Sequence, residues 1–291
     1  MNGTQIKERL HQGKRVYGTH VASLMNPVAA ALATETELDF AFFCTEHMPL
    51  DRTEVSMMCQ LYAAKGISPI VRVPWPDAAA VGSALDAGAE GIVVPYLESI
   101  KDARAMAGAV KYRPLKGQLL KDALIDKDTL PLKTQKFLRE FNNDRYLIIG
   151  IESVPAINRL EELIEASQAD GVFLGPHDIT TSMGIPTEYH HPDFVDTVED
   201  VIRRSRRCNA GVGLHYQLLS LPEAILQRYL DAGMNWIING SDIIVMRNAM
   251  NQQLRQLRQM NTRQNGNGHT PLLQAEPSPQ NGTKAIVSCI T

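Results

Sequence analysis

Eight short apolar runs, each followed by a stretch with helical periodicity, constrain this chain more than anything else in it. The runs are "VYGTH" (16–20), "DFAFFCTEH" (39–47), "ISPIVRV" (67–73), "GIVVP" (91–95), "YLIIGIE" (146–152), "GVFLG" (171–175), "GVGLH" (211–215) and "WIING" (236–240). Most are continuously apolar rather than alternating, as expected of parallel strands buried on both faces. Between them lie helical segments. One opens with Asn26 as N-cap and Pro27 at the first helical position, and others span about 52–65 and about 192–209. "DAGAEGIVVP" and "DAGMNWIING" are near echoes of helix end, glycine and strand. Eight strand–helix units in about 250 residues predict an α/β chain folded as a (β/α)8 barrel. A doubly wound open sheet is the alternative, but no GxGxxG follows the first strand.

Two stretches break the rhythm. Residues 113–145 form a long polar connection, expected to be functional or partly helical. Residues 262–291 are rich in Asn, Gln, Gly and Pro and are expected to be a disordered tail beyond a barrel domain of residues 1–261. A net charge of −3 gives no electrostatic case for nucleic acid or membrane as a partner. The run "RRSRR" at 203–207 is expected to coat the outer face of a helix. The cysteines, Cys44, Cys59, Cys208 and Cys289, show no CxxC spacing. With no apolar run long enough to span a bilayer and no signal-peptide pattern at the start, a reducing, cytoplasmic location is expected.

In a barrel, functional groups gather where strands end and loops begin. The polar residues at those places are Glu46 and His47 after the second strand, Arg72 after the third, Glu152 after the fifth, Asp178 past the Gly175–Pro176 turn, and His215 after the seventh. Glu152 and Asp178 stand at neighbouring strand ends. Two such carboxylates suit one hard divalent cation, with water and substrate oxygens completing its shell. Each is equally placed to cap the helix that follows it. Arg72 suits a substrate carboxylate or carbonyl oxygen, or a structural carboxylate. His47 is an acid–base candidate at a barrel mouth, or a satisfied core histidine. His190 and His191 precede Pro192 and are expected to form the loop leading into a helix.

The segments "FFCTEHMPLD", "PIVRVPW", "ALDAGAEGIVVPYLES", "IGIESVPAINRLEEL" and "DGVFLGPHDITTSMG" resemble the HpcH/HpaI aldolases, the class II pyruvate-dependent aldolases, over most of residues 8–255. "TEH" and "ALDAGAEGIVVP" also look like the family's macrophomate synthase, which decarboxylates oxaloacetate. The resemblance implies a TIM barrel of the phosphoenolpyruvate/pyruvate type. It further implies a last helix exchanged between subunits of a homo-oligomer, a trimer or hexamer. It implies a carbon–carbon lyase acting on a 2-oxo acid through a pyruvate enolate, with Mg2+, Mn2+ or Co2+ held by Glu152 and Asp178. Arg72 matches the substrate-binding arginine, His47 the catalytic histidine, Asp86 the aspartate that pairs with it, and Gly175 and Pro176 the substrate-binding loop. Three departures stand out: Cys44 where an aspartate is usual, Gly150 where glutamine is common, and "YRPLKGQLLKD" in place of a Gly-x-Arg-Gly loop. They leave three readings open: an aldolase, an oxaloacetate decarboxylase, or a degraded barrel kept for binding or assembly.

Overall fold

Period-two geometry sorts the strand residues into two buried sets. Phe40, Phe42 and Cys44 pack inward with Ile70, Val93, Ile148 and Phe173. Their sequence neighbours Ala41, Phe43, Val71, Ile92, Val94, Ile149 and Val172 pack outward against helices. With water on neither face, the strands carry no polar alternation. Deleting a large inward ring such as Phe42 would cost about 3–5 kcal/mol.

The computed structural model describes residues 1–264. Its eight strands are β1 (Val16–His20), β2 (Phe40–Cys44), β3 (Ser68–Arg72), β4 (Gly91–Val94), β5 (Tyr146–Ile151), β6 (Gly171–Leu174), β7 (Gly211–Leu214) and β8 (Trp236–Ser241). All pair in parallel, in the order β7-β6-β5-β4-β3-β2-β1-β8. The remaining gap is bridged beside β8. Asn235 N donates to Val212 O at 3.0 Å, and Val212 N donates to the Asn235 side chain at 2.9 Å. The result is a nearly closed (β/α)8 barrel, as the alternation predicts.

Before and between β1 to β5 run α1 (Gly3–His11), α2 (Pro27–Ala33), α3 (Arg52–Ala63), α4 (Ala78–Asp86), α5 (Ile100–Lys111), α6 (Gly117–Ile125) and α7 (Leu132–Phe141). After β5 come α8 (Val154–Asn158), α9 (Leu160–Ser167), α10 (Pro176–Ser182), α11 (Pro192–Arg207), α12 (Glu223–Ala232) and α13 (Asp242–Gln264). Asn26 caps α2 by accepting from Ala29 N, with Pro27 in the first turn. The 113–145 connection is partly helical, through α6 and α7. The Arg203–Arg207 run is structural: Arg204 pairs with Glu161 and Asp200, and Arg206 donates to Leu10 O at 2.8 Å. The last helix continues to Gln264, and the tail expectation from residue 265 on lies outside the described residues.

Helix α1 precedes the strand–helix alternation. Asn2 and Gln5 form its capping box, and its buried Ile6 and Leu10 join Val16, Phe40, Tyr146 and Trp236 in the inner core. Helix α1 therefore plugs the end of the barrel where strands begin and leaves the other end for the site. There the loop after β1 is tied to α13: Asp242 accepts from the main chain of Ala22, Ser23 and Leu24 at 2.8–3.1 Å.

Candidate active site

The inward register that buries Phe42 also aims Cys44 into the barrel, and Cys44 lies directly opposite Arg72 on the next strand. Arg72 is buried, 4 % exposed. Its Nε and Nη2 donate to Cys44 Sγ at 3.3 and 3.2 Å. His47 N donates to the same sulfur at 3.4 Å. The guanidinium carbon lies 5.3 Å from the Phe173 ring centre and 5.9 Å from that of Phe42. Burial would lower the Arg72 pKa, but the adjacent Cys44, Glu46 and Glu152 outweigh it and hold the group more basic than usual.

Glu46 Oε2 sits 2.9 Å from Arg72 Nε and 3.8 Å from His47 Nε2. The first contact is an ion pair rather than an aligned hydrogen bond, since Oε2 accepts none and the Nε proton is directed at the sulfur. His47 keeps a partly exposed ring. Burial and then Arg72 lower its pKa, with Glu46 and Asp178 opposing, so the ring is neutral and able to accept a proton near pH 7.

Glu152 is the outlier. It is 3 % exposed, and neither carboxylate oxygen has an aligned hydrogen-bond donor among the described residues, the main-chain N–H of Tyr96 approaching without meeting that geometry. Burial is the main cause that pushes its pKa up to about 8, with Glu46 and Asp178 adding and Arg72 opposing. A buried carboxylate without donors is costly. Asp178 shares its surroundings: a Cβ on Gly175 would meet Glu152 Cγ at 3.1 Å and Asp178 Oδ2 at 3.2 Å. Gly175 and Pro176, at the start of α10, therefore hold the two acids around one small space. Gly150 has a similar reason. A Cβ there would come within 2.8 Å of Glu152 Oε1 and 2.9 Å of Pro95 Cα, so a glutamine cannot coexist with this carboxylate position. Among the described residues no group of three or more His, Cys, Asp or Glu side chains could hold a metal ion alone. The two acids fit a cation that keeps open positions for other oxygens.

Sequence reasoning passed over two contributors. Tyr96 follows β4 with a positive φ of 51°, and its phenol is pushed upward by burial, then by Glu46, Asp178 and Glu152. His20, the last residue of β1, is fully buried, and neither ring nitrogen has a hydrogen-bond partner among the described residues. Its ring centre is 5.4 Å from that of His215. Burial, then Arg72 and His47, bring its pKa down to about 3, and the neighbouring His215 is likewise held neutral. Strand parity could have found His20, because it points inward like Cys44.

The HpcH/HpaI aldolase/citrate lyase profile matches residues 21–249. The chain belongs to that family. A hydroxypyruvate/pyruvate aldolase of Roseovarius nubinhibens is 27 % identical over 255 residues, which is 87 % of this chain and 96 % of the relative. A solved HpcH/HpaI aldolase from Desulfitobacterium hafniense superposes with TM-score 0.72 at 24 % identity, covering 87 % of this chain and 96 % of its own. Macrophomate synthase gives 0.70 at 21 %, covering 90 % and 91 %. These two show the fold; the aldolase relatives and the profile show that this HpcH/HpaI member is an enzyme of the lyase class.

Asp86 departs from its expected place. Helix α4 runs back along the barrel, so its last residue lies at the end opposite the site. The Asp86 side chain is 71 % exposed and paired with Arg113. It does not orient His47 within one chain, where Glu46 is the neighbouring acid. His191 caps α11, accepting from Asp193 N at 3.2 Å, and His177 contacts Tyr189. No helix among the described residues is long and apolar enough to cross a membrane.

Proposed function

We propose that this HpcH/HpaI member is a divalent-metal-dependent carbon–carbon lyase acting on a 2-oxo acid through the enolate of its pyruvate half. The observation that carries the reading is Glu152, buried without an aligned donor beside Asp178 and Arg72. A purely structural barrel gains nothing from an orphaned carboxylate whose burial costs stability. Glu152 and Asp178 would hold Mg2+, Mn2+ or Co2+, which supplies Lewis-acid polarisation of the 2-oxo acid.

Arg72 is fixed through two of its N–H groups to Cys44, so the rest of its fork is preorganised for the substrate carboxylate and the charge that grows on the keto oxygen. His47, neutral and solvent-accessible, takes the proton from the alcohol as the carbon–carbon bond breaks, directly or through water. Gly175 and Pro176 shape the floor under the substrate. A role for Asp86 would require a second copy that brings its exposed face to this mouth.

A second copy is favoured independently. Helix α13 exposes Met246, Met250, Leu254, Leu257 and Met260. A cavity of about 660 Å³ beside β1 and β8, lined by Tyr17, Leu226, Leu230 and Ile237, offers an apolar seat. Exchange of the last helix in a homo-oligomer would cover both. The second reading of the chemistry, oxaloacetate decarboxylation, is favoured by Cys44. It leaves one fewer carboxylate beside His47, while enolate stabilisation by Arg72 needs no base. The deciding experiment measures pyruvate and CO2 release from a panel of 2-oxo acids, with Mg2+, Mn2+ or EDTA. Metal-stimulated release that is lost in Arg72→Lys supports the reading. Release that is indifferent to both metal and Arg72 refutes it.

A further inference from the structure

The insertion between α5 and β5 builds a second cavity at the end of the barrel opposite the site. It measures about 640 Å³ and lies between α1, the end of α5, and α7. Lys7, Lys111, Lys127 and Arg139 line it, with Asp128 the carboxylate in its lining.

These cations are not equivalent. Lys111 pairs with Asp170, which is buried at the foot of β6. Lys7 is half-buried and donates to Asn143 O at 2.6 Å. Its burial and then the charge of Lys111 lower its pKa, with Asp170, Asp144 and Glu8 opposing. The side chains of Lys127 and Arg139 make no ion pair or hydrogen bond among the described residues. An anion would employ the two free cations.

Asn142 adds a different demand. Its Nδ2 donates to Leu138 O, Arg113 O and Lys111 O at 2.9, 2.8 and 3.2 Å, which fixes the amide. Its Oδ1 is buried with no hydrogen-bond donor among the described residues. Asn142 is 5 % exposed and lines the same cavity. The neighbouring Tyr112 hydroxyl accepts from Gln168 Nε2 at 2.9 Å and keeps its own proton to donate.

We propose that this cavity binds a small phosphorylated metabolite that also carries hydroxyl groups. Lys127 and Arg139 would take the phosphate, for which several N–H donors and full positive charge are suited. A shift of the lining that uncovers Asn142 Oδ1, which water does not reach in this structure, would let a ligand hydroxyl donate to it. The volume lies within the usual range for small-molecule pockets. A merely solvated basic face would not draw Lys7 into half-burial beside Lys111, nor leave a fixed, buried amide oxygen empty.

The test is calorimetric titration of the full chain with ribose 5-phosphate, ribose and inorganic phosphate. Ribose 5-phosphate should bind, ribose should not, and inorganic phosphate should bind more weakly. The double variant Lys127→Ala/Arg139→Ala changes exposed side chains, so it should fold normally and lose roughly tenfold or more in affinity. Lys136→Ala, an exposed cation paired with Glu140, should bind as the parent does. Arg72→Ala should also bind normally, because it alters the other end of the barrel. Unchanged binding by the double variant, loss of binding in Arg72→Ala, or no binding of ribose 5-phosphate would overturn the proposal. So would inorganic phosphate binding as tightly as the sugar phosphate.

Discussion

Replacing Glu152 with glutamine should stabilise the metal-free protein at alkaline pH. The folded carboxyl titrates at about 8, against an ordinary value of 4.5, mainly because it is buried. It therefore holds its proton more tightly folded than unfolded. The stability it contributes is fully present below pH 4.5 and is lost as pH rises to about 8. The gap amounts to on the order of 5 kcal/mol, and water entry around the charge reduces it to a few in solution. Glutamine has the same shape and never ionises. In EDTA the two proteins should unfold alike near pH 5. Near pH 8.5 the variant should be more stable by a few kcal/mol, or roughly 5–10 °C in Tm for a domain of this size. Adding Mn2+ should close the gap. The parent gains about 2.7 kcal/mol at a hundred times Kd, and the variant gains little. Thermal melts at the two pH values, with EDTA or Mn2+, make the measurement. A variant less stable than the parent at pH 8.5 in EDTA would show that the folded protein stabilises the Glu152 carboxylate, and would remove the main support for the metal site.

Three further outcomes follow from the same geometry. His47→Ala should reduce kcat for aldol cleavage by roughly 10²–10⁴, the usual worth of a general base, while any oxaloacetate decarboxylation survives; equal loss of both activities in steady-state assays would reassign His47 to substrate binding. Gly175→Ala should weaken divalent-metal binding, measured by titration of the apo protein, because the new methyl lands 3.1 Å from Glu152 Cγ and 3.2 Å from Asp178 Oδ2; parent-like affinity would place the cation elsewhere. Gly211→Ala should destabilise the protein by roughly 1–3 kcal/mol in urea unfolding without changing KM, because its Cβ would sit 2.6 Å from Leu10 Cδ2 in the plug beneath the barrel; an unchanged midpoint would mean that α1 yields freely.

Much of the barrel was legible because its causes are local. Each strand announces itself as a continuous apolar run, since both faces are covered, and each observed strand falls within a predicted run or overlaps it to within one residue. The acids and cations at the mouth were legible for the same reason: they stand at strand ends. Helix α1 was not, because a single nine-residue helix has too few turns to set its pattern apart.

What the sequence by itself determined is therefore the list of strands, their parallel architecture, and the set of polar residues delivered to one end: Glu46, His47, Arg72, Glu152, Asp178 and His215. What only the tertiary structure decided is which of these touch. Cys44 and Arg72 meet because β2 and β3 pair in one register, with the sulfur in the place where a carboxylate was expected. Glu46 stands beside His47, and Asp86 does not, because α4 carries Asp86 away from the mouth. Glu152 and Asp178 share the space beside Gly175 because β5 and β6 are neighbours, and Glu152 is left without an aligned donor because the closed barrel removes water from around it. Apart from the adjacent Glu46 and His47, these contacts join strands and loops more than 20 positions apart. The register between paired strands sets them, and no local pattern encodes that register in advance.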